Sequence, residues 1–142
     1  MQVKDAMNSK VIIATKEISI KEAARIMAKF RIGSLIILEN DKIIGIITES
    51  DIIRKIVATG LDPTLTKAEE TMTKDVVTVD AEKDLDEACQ MMVDHKIKRL
   101  PVLDGGKLVG ILTTTDVIAV EPKMIEALAQ VMLFSEKQIV AG

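Results

Sequence analysis

The chain of 142 residues contains no tryptophan, no tyrosine and two phenylalanines, Phe30 and Phe134. Such poverty in aromatics leaves few rings for stacking unpaired bases, and a formal charge of -3 removes the basic stripe that a general nucleic-acid binder presents. Cysteine is as scarce. Cys89 stands alone, so no internal disulfide can form, and a reducing cytoplasm is the expected location, with no basic leader and short apolar stretch before the first motif to suggest export. One histidine and no Cys/His cluster leave nothing for zinc, no carboxylate-rich loop offers itself to calcium, and the glycine-rich phosphate loop with its lysine is missing. Long apolar runs are missing too: residues 35–38 and 43–47 are strand-sized, far below the roughly 18 to 20 apolar residues a bilayer needs. What is present is 48% hydrophobic and 29% charged. That composition excludes a disordered chain and fits one ordinary domain, or two small ones packed together, with a core that needs no metal or disulfide staple.

Charge is unevenly shared. Residues 1–66 hold ten Lys/Arg against eight Asp/Glu, a balance of +2, and residues 67–142 hold nine against fourteen, a balance of -5. The acidic half nevertheless carries the densest basic cluster, His95-Lys96-Ile97-Lys98-Arg99. A local positive site inside an acidic region suits a small anion better than a polyanion.

The chain repeats itself. Shifted by 65 residues, positions 7–53 align with 72–118 without a gap and 15 of the 47 pairs are identical, among them Met7/Met72, Glu22/Glu87, Gly45/Gly110, Thr48/Thr113 and Asp51/Asp116. Two copies of a unit this small should pack together to complete a core. Each copy reads as β-α-β-β-α: a short β-branched strand at 11–14 or 76–79, then a helix opened by Ser19-Ile-Lys-Glu22 or Asp84-Leu-Asp-Glu87 and running to about Phe30 or His95. Two strands follow, joined by the tight turns Glu39-Asn-Asp and Asp104-Gly-Gly, and a second helix starts near Thr48 or Thr113. The expected fold class is therefore α/β in the broad α+β sense. Its divisions are repeat one at 1–60, a linker at 61–66, repeat two at 67–120 and a C-terminal helix within 121–142. Pro122 suits the first turn of that last helix. Met124, Ile125, Leu128, Val131, Met132, Leu133 and Phe134 give it apolar groups around most of its circumference, so it should be covered by its own module, by a second subunit or by another protein.

The most informative stretch is the repeated Gly45-Ile-Ile-Thr48-Glu-Ser-Asp51 and Gly110-Ile-Leu-Thr113-Thr-Thr-Asp116. It sets a hydroxyl, and a carboxylate three residues on, where a strand turns into a helix whose first amides can meet an anion. A carboxylate on the same turn can accept hydrogen bonds from two vicinal sugar hydroxyls, so Thr plus Asp suits a sugar phosphate or nucleotide. Thr-x-x-Asp is equally a capping box that needs no ligand. At 95–102 three cations and a histidine end a helix, and copy one keeps only Arg31 there, with Gly33-Ser34 in place of Lys98-Arg99. The two copies are thus unequal, and a pocket near Lys98 and Arg99 should prefer the more highly charged anion. No catalytic residue can be drawn. Cys89 and His95, six apart on one helix, project to different faces, Cys89 aligns with Ala24 in the apolar stripe, and Met91 and Met92 read as core filling.

With its duplicated unit, Lys96-Ile-Lys-Arg-Leu-Pro-Val-Leu-Asp104 and the two Gly-x-x-Thr-x-x-Asp turns, the chain resembles a tandem pair of cystathionine β-synthase (CBS) domains, a Bateman module, of a stand-alone prokaryotic or archaeal type. The resemblance covers about residues 3–120 and implies two repeats packed about a pseudo-twofold axis, with an adenine nucleotide such as AMP, ADP or ATP, or another adenosyl ligand, bound between them. It implies that Asp51 and Asp116 grip ribose and that Thr48 and Thr113 face phosphate, with Lys98 and Arg99 serving phosphate as well. Adenine would rest beside Lys10, Val11, Ile12, Ile32, Gly33 and Ser34 in the Asp116 pocket, and beside Asp75, Val76, Val77 and Ile97, with Lys98 and Arg99, in the Asp51 pocket.

The expected function is a non-enzymatic regulatory module, homodimeric and without metal or required cofactor, that senses an adenosyl ligand and signals to a partner protein by shifting a conformational equilibrium. Two other readings stand beside it: a ligand-free dimerisation scaffold whose turns are plain capping boxes, and, further off, a nucleic-acid-associated regulator using Lys96, Lys98 and Arg99.

Overall fold

The computed structural model describes residues 1–132. Along the chain run α1 (Val3–Ala6), β1 (Ile13–Ala14), α2 (Ile20–Phe30), β2 (Ser34–Glu39), β3 (Lys42–Thr48) and α3 (Glu49–Ile52), which continues into a π-helical turn over Ile53–Val57. Then come α4 (Ala68–Thr71), β4 (Val79–Asp80), α5 (Leu85–His95), β5 (Arg99–Asp104), β6 (Lys107–Thr113), α6 (Thr114–Val120), a 3-10 turn (Pro122–Met124) and α7 (Ile125–Met132). Both copies of the expected β-α-β-β-α unit are present. The first strands are shorter than their β-branched runs, and the single-turn helices α1 and α4 were not anticipated. Leu133, Phe134 and the remainder of the expected last helix lie outside the described residues.

The chain forms two compact units, Val11–Val77 and a second made of Met1–Lys10 with the chain from Thr78 onward. In each, a three-stranded sheet runs parallel then antiparallel, in the orders β1-β2-β3 and β4-β5-β6. Two-residue turns close the hairpins, with positive φ at Asn40 and Asp41 in one and at Gly105 and Gly106 in the other. That is the mirror-image turn whose twist matches the strands, and Asn and Asp tolerate it almost as glycine does. A bulge follows in each hairpin, between Ile37 and Leu38 and between Val102 and Leu103.

The helices begin where capping side chains stand, though not as full boxes. Ser19 accepts from the Glu22 amide and Asp84 from the Asp86 amide. The acids three residues on turn to neighbouring cations instead, Glu22 to Arg25 and Glu87 to Lys83. The apolar stripe of α2 buries Ile20, Ala23 and Met27 against Leu35, Ile37, Ile47, Ile56 and Ala68. In the other unit the buried set includes Val3, Leu85, Ala88, Cys89, Met92, Leu100, Val102, Leu112, Val117 and Leu128.

Each unit is completed by a segment that precedes the other repeat in sequence. Asn8 exchanges backbone hydrogen bonds with Ile111 (2.9 and 2.9 Å), and Thr73 does so with Ile46 (2.8 and 3.0 Å). The two glycines shared by the repeats are explained here: a Cβ on Gly45 would run into Met72, and one on Gly110 into Met7 and the Asn8 carbonyl.

Candidate ligand-binding site

β3 and β6 end on Thr48 and Thr113, whose extended backbone (φ -113° in both) hands the chain to a helix. Here the capping boxes close in full. Thr48 Oγ1 accepts from the Asp51 amide at 3.1 Å, and Asp51 Oδ2 accepts from the Thr48 amide at 3.0 Å. The second copy repeats this at 3.1 and 2.9 Å. The first helical amide is also engaged, Glu49 N–H on the Gly33 carbonyl (3.1 Å) and Thr114 N–H on that of Lys98 (2.9 Å). The helix ends are therefore more closed than their sequence suggests. Among the described residues only the second amide, Ser50 or Thr115, is left without such a bond. Each threonine uses its oxygen as acceptor and keeps its hydroxyl hydrogen to donate outward.

Strand register gathers further residues around each turn. Ser34, buried, is paired with Thr48, and Arg99, half-buried, with Thr113. The unit Val11–Val77 thus holds Ile32, Gly33, Ser34, Thr48 and Asp51 at one end of its hairpin, and the other unit holds Ile97, Lys98, Arg99, Thr113 and Asp116 at the corresponding end. Ile32 and Ile97 are half-buried, with amides on the carbonyls of Met27 and Met92, both at 3.0 Å. Lys10 is exposed and its amide is capped by Asn8 Oδ1 at 2.9 Å. Val11 and Ile12 are half-buried ahead of β1; Val76 and Val77 are likewise half-buried ahead of β4, after exposed Asp75, whose φ is +55°.

The two carboxylates differ sharply. Asp51 is 1% exposed. Besides the Thr48 amide it meets Thr73 Oγ1, which lies 3.1 Å from Oδ1 and 3.2 Å from Oδ2, and it pairs with Lys55 Nζ at 3.1 Å and Arg54 Nη2 at 3.4 Å. Asp116 is half-buried, and among the described residues the bond found on its carboxylate is that from the Thr113 amide. Thr73, Arg54 and Lys55 were missed from sequence. The cations sit three and four residues after Asp51, a spacing that signals a helical ion pair, whereas nothing local announces Thr73, 22 residues on.

Elsewhere the chemistry is quiet. Cys89 is buried, as its alignment with Ala24 predicts, and burial above all, with Asp86 adding to it, pushes its thiol up to about 11. Among the described residues no group of three or more His, Cys, Asp or Glu side chains could hold a metal, and no helix is long and apolar enough to cross a membrane.

The CBS domain family model matches twice, at residues 3–58 and 68–123. An uncharacterized protein of Methanopyrus kandleri is 41% identical over 113 residues, spanning 78% of this chain and 58% of that protein. Another, from Methanocaldococcus jannaschii, is 40% identical over 141 residues, 98% of this chain and 73% of its own length. Among solved structures, the CBS domain pair of protein MJ0100, in complex with 5′-methylthioadenosine and S-adenosyl-L-methionine, superposes with a TM-score of 0.77 at 32% identity, covering 87% of this chain and 97% of the other.

Proposed function

Since the chain belongs to the CBS domain family and carries that domain twice, we propose that it is a regulatory module sensing an adenosyl ligand, of the AMP, ADP or ATP kind or a relative of them, and passing that state to a partner protein. The turn at Thr113 and Asp116 carries the reading. Its carboxylate, only half-buried, suits a ribose diol, and its threonine keeps a hydroxyl hydrogen for phosphate. Arg99, opposite Thr113, and the adjoining Lys98 would add charge for phosphate, and Lys10, Val11, Ile12, Ile32, Gly33 and Ser34 would take the adenine by aliphatic burial and main-chain hydrogen bonds. The adenosyl ligands of the MJ0100 domain pair support the ligand class. The set implied for copy one has the same Thr and Asp, Thr48 and Asp51, beside Asp75, Val76, Val77 and Ile97, but its carboxylate is committed to protein donors.

Thermal unfolding in the presence of AMP, ADP, ATP, 5′-methylthioadenosine and S-adenosylmethionine tests the reading. A ligand at 100 times its Kd stabilises the folded state by about 2.7 kcal/mol, so at least one of the five should raise the midpoint by several degrees. A chain without Trp or Tyr absorbs little near 280 nm, so a purine carried through purification would dominate its spectrum. The fully closed capping boxes favour a second reading, a ligand-free dimerisation scaffold, which predicts no shift with any of the five.

Self-association belongs to both readings. In the unit Val11–Val77 a cleft of about 560 Å³ opens between α2 and the π-helical turn, lined by Ile20, Ala24, Ala28, Ile52, Ile56 and Val57. Ile53, Val57, Leu61 and Leu65 stand exposed in the same stretch. In the other unit α7 packs on α5 and buries Leu128 completely. An uncovered apolar face of this kind supports the homodimer.

A further inference from the structure

The two repeats keep the same Thr-x-x-Asp turn but bond its carboxylate differently, and we propose that duplication has divided the work: Asp51 is a clasp that fastens residues 71–73 to their repeat, and Asp116 alone accepts ligand hydroxyls, so that the chain takes one adenosyl ligand rather than two. The clasp stands on geometry alone, while the ligand half rests on the function proposed above.

Asp51 Oδ1 and Oδ2 share the Thr73 hydroxyl, Oδ2 also takes the Thr48 amide, and Oδ1 meets Lys55 and Arg54. Lys55 Nζ reaches on to the Thr71 carbonyl at 2.9 Å, so one lysine ties the carboxylate to the 71–73 segment, a strap whose counterpart in the other repeat is residues 6–8. With two oxygens and roughly four lone-pair directions, the carboxylate has no acceptor capacity left for a vicinal diol. A ribose would have to displace the Thr73 hydroxyl from a carboxylate that is itself buried, and compete with a cation four residues away on the same helical segment.

The second repeat keeps the amide of the cap but has replaced the three side-chain donors of this clasp. At the positions of Arg54 and Lys55 it has Ala119 and Val120, and at that of Thr73 it has Asn8, whose side-chain oxygen is turned to the Lys10 amide. The strap is still seated there, through the Asn8–Ile111 backbone pair and Met7 against Gly110, without help from Asp116. Among the described residues, nothing structural therefore consumes the second carboxylate beyond its own cap.

The isosteric variants Asp51→Asn and Asp116→Asn, with Thr73→Val to remove the clasp from its other side, separate the two roles. Unfolding midpoints are measured without ligand, and AMP and 5′-methylthioadenosine are titrated calorimetrically, with 2′-deoxy-AMP as the probe lacking one ribose hydroxyl. Asp51→Asn and Thr73→Val should lower the midpoint by about 5 to 10 °C and leave one binding event per chain within about twofold of the wild-type affinity. Asp116→Asn should hold the midpoint within about 2 °C, weaken AMP at least tenfold, and lose the preference for AMP over 2′-deoxy-AMP. Two equivalents bound per chain, or weakened AMP in Asp51→Asn at an unchanged midpoint, would overturn the division. If neither probe binds the wild type, the sensing function fails and the clasp is judged on stability alone: equal losses in Asp51→Asn and Asp116→Asn would end it.

Discussion

Cys89 shows how one side chain can be read correctly and still hold a measurable consequence. Its alignment with Ala24 in the apolar stripe announces a buried thiol, and the fold sets it among the core residues of α5 at 3% exposure. Burial disfavours the thiolate, raising the group from its ordinary 9.0 to about 11. The unfolded chain then ionises first, so the stability tied to the neutral thiol is whole below pH 9 and drains away as pH climbs from 9 toward 11. The wild type should lose stability across that window more steeply than Cys89→Ala, measured by urea unfolding at stepped pH; equal slopes would contradict the burial argument. Alkylation by iodoacetamide at pH 8 should proceed no faster than unfolding allows. At this scale Asp51 and Asp116 are the instructive contrast. Sharing the same Thr-x-x-Asp turn, one is sealed by Thr73, Lys55 and Arg54 and the other stays only half-buried, a difference carried by residues 3, 4 and 22 positions away.

Among the elements, those with strong periodicity were legible. The helices were expected to end at Phe30 and His95, and α2 and α5 do so, and both hairpins turn at the polar pairs 40–41 and 105–106. Less legible were α1 and α4, single turns of four residues with no apolar stripe to give a period, and the shortening of β1 and β4 to two residues. The extent of each short strand depends on the neighbour it pairs with, β2 or β5, which lies more than 20 residues on. The repeated Met7/Met72 and Gly45/Gly110 likewise have no local meaning until residues 7–8 and 72–73 are seated, Met7 on Gly110 and Met72 on Gly45. Gly110→Val forces a branched side chain into the space of Met7 and the Asn8 carbonyl and should cost about 1 to 3 kcal/mol by overpacking. Chemical denaturation checks this, and an additional Met7→Ala change should recover part of the loss.

For the whole molecule, the cleft beside α2 and the exposed Ile53, Val57, Leu61 and Leu65 bear on assembly. A carboxylate there should block association without touching the buried core, so Val57→Glu, at a side chain 70% exposed, should shift a dimer to monomer in light scattering while leaving the circular dichroism spectrum intact. Wild-type protein already monomeric at micromolar concentration would remove this role from the face. The amino-acid order alone determined the duplication, the β-α-β-β-α plan and the Thr-x-x-Asp turns, because periodicity, turn chemistry and caps act over a few residues. Only the tertiary structure decided which carboxylate is consumed, which glycine must remain bare and which helix face is covered. Those outcomes depend on segments distant along the chain arriving within a few ångströms of one another, where burial and hydrogen bonding assign identical motifs to different work.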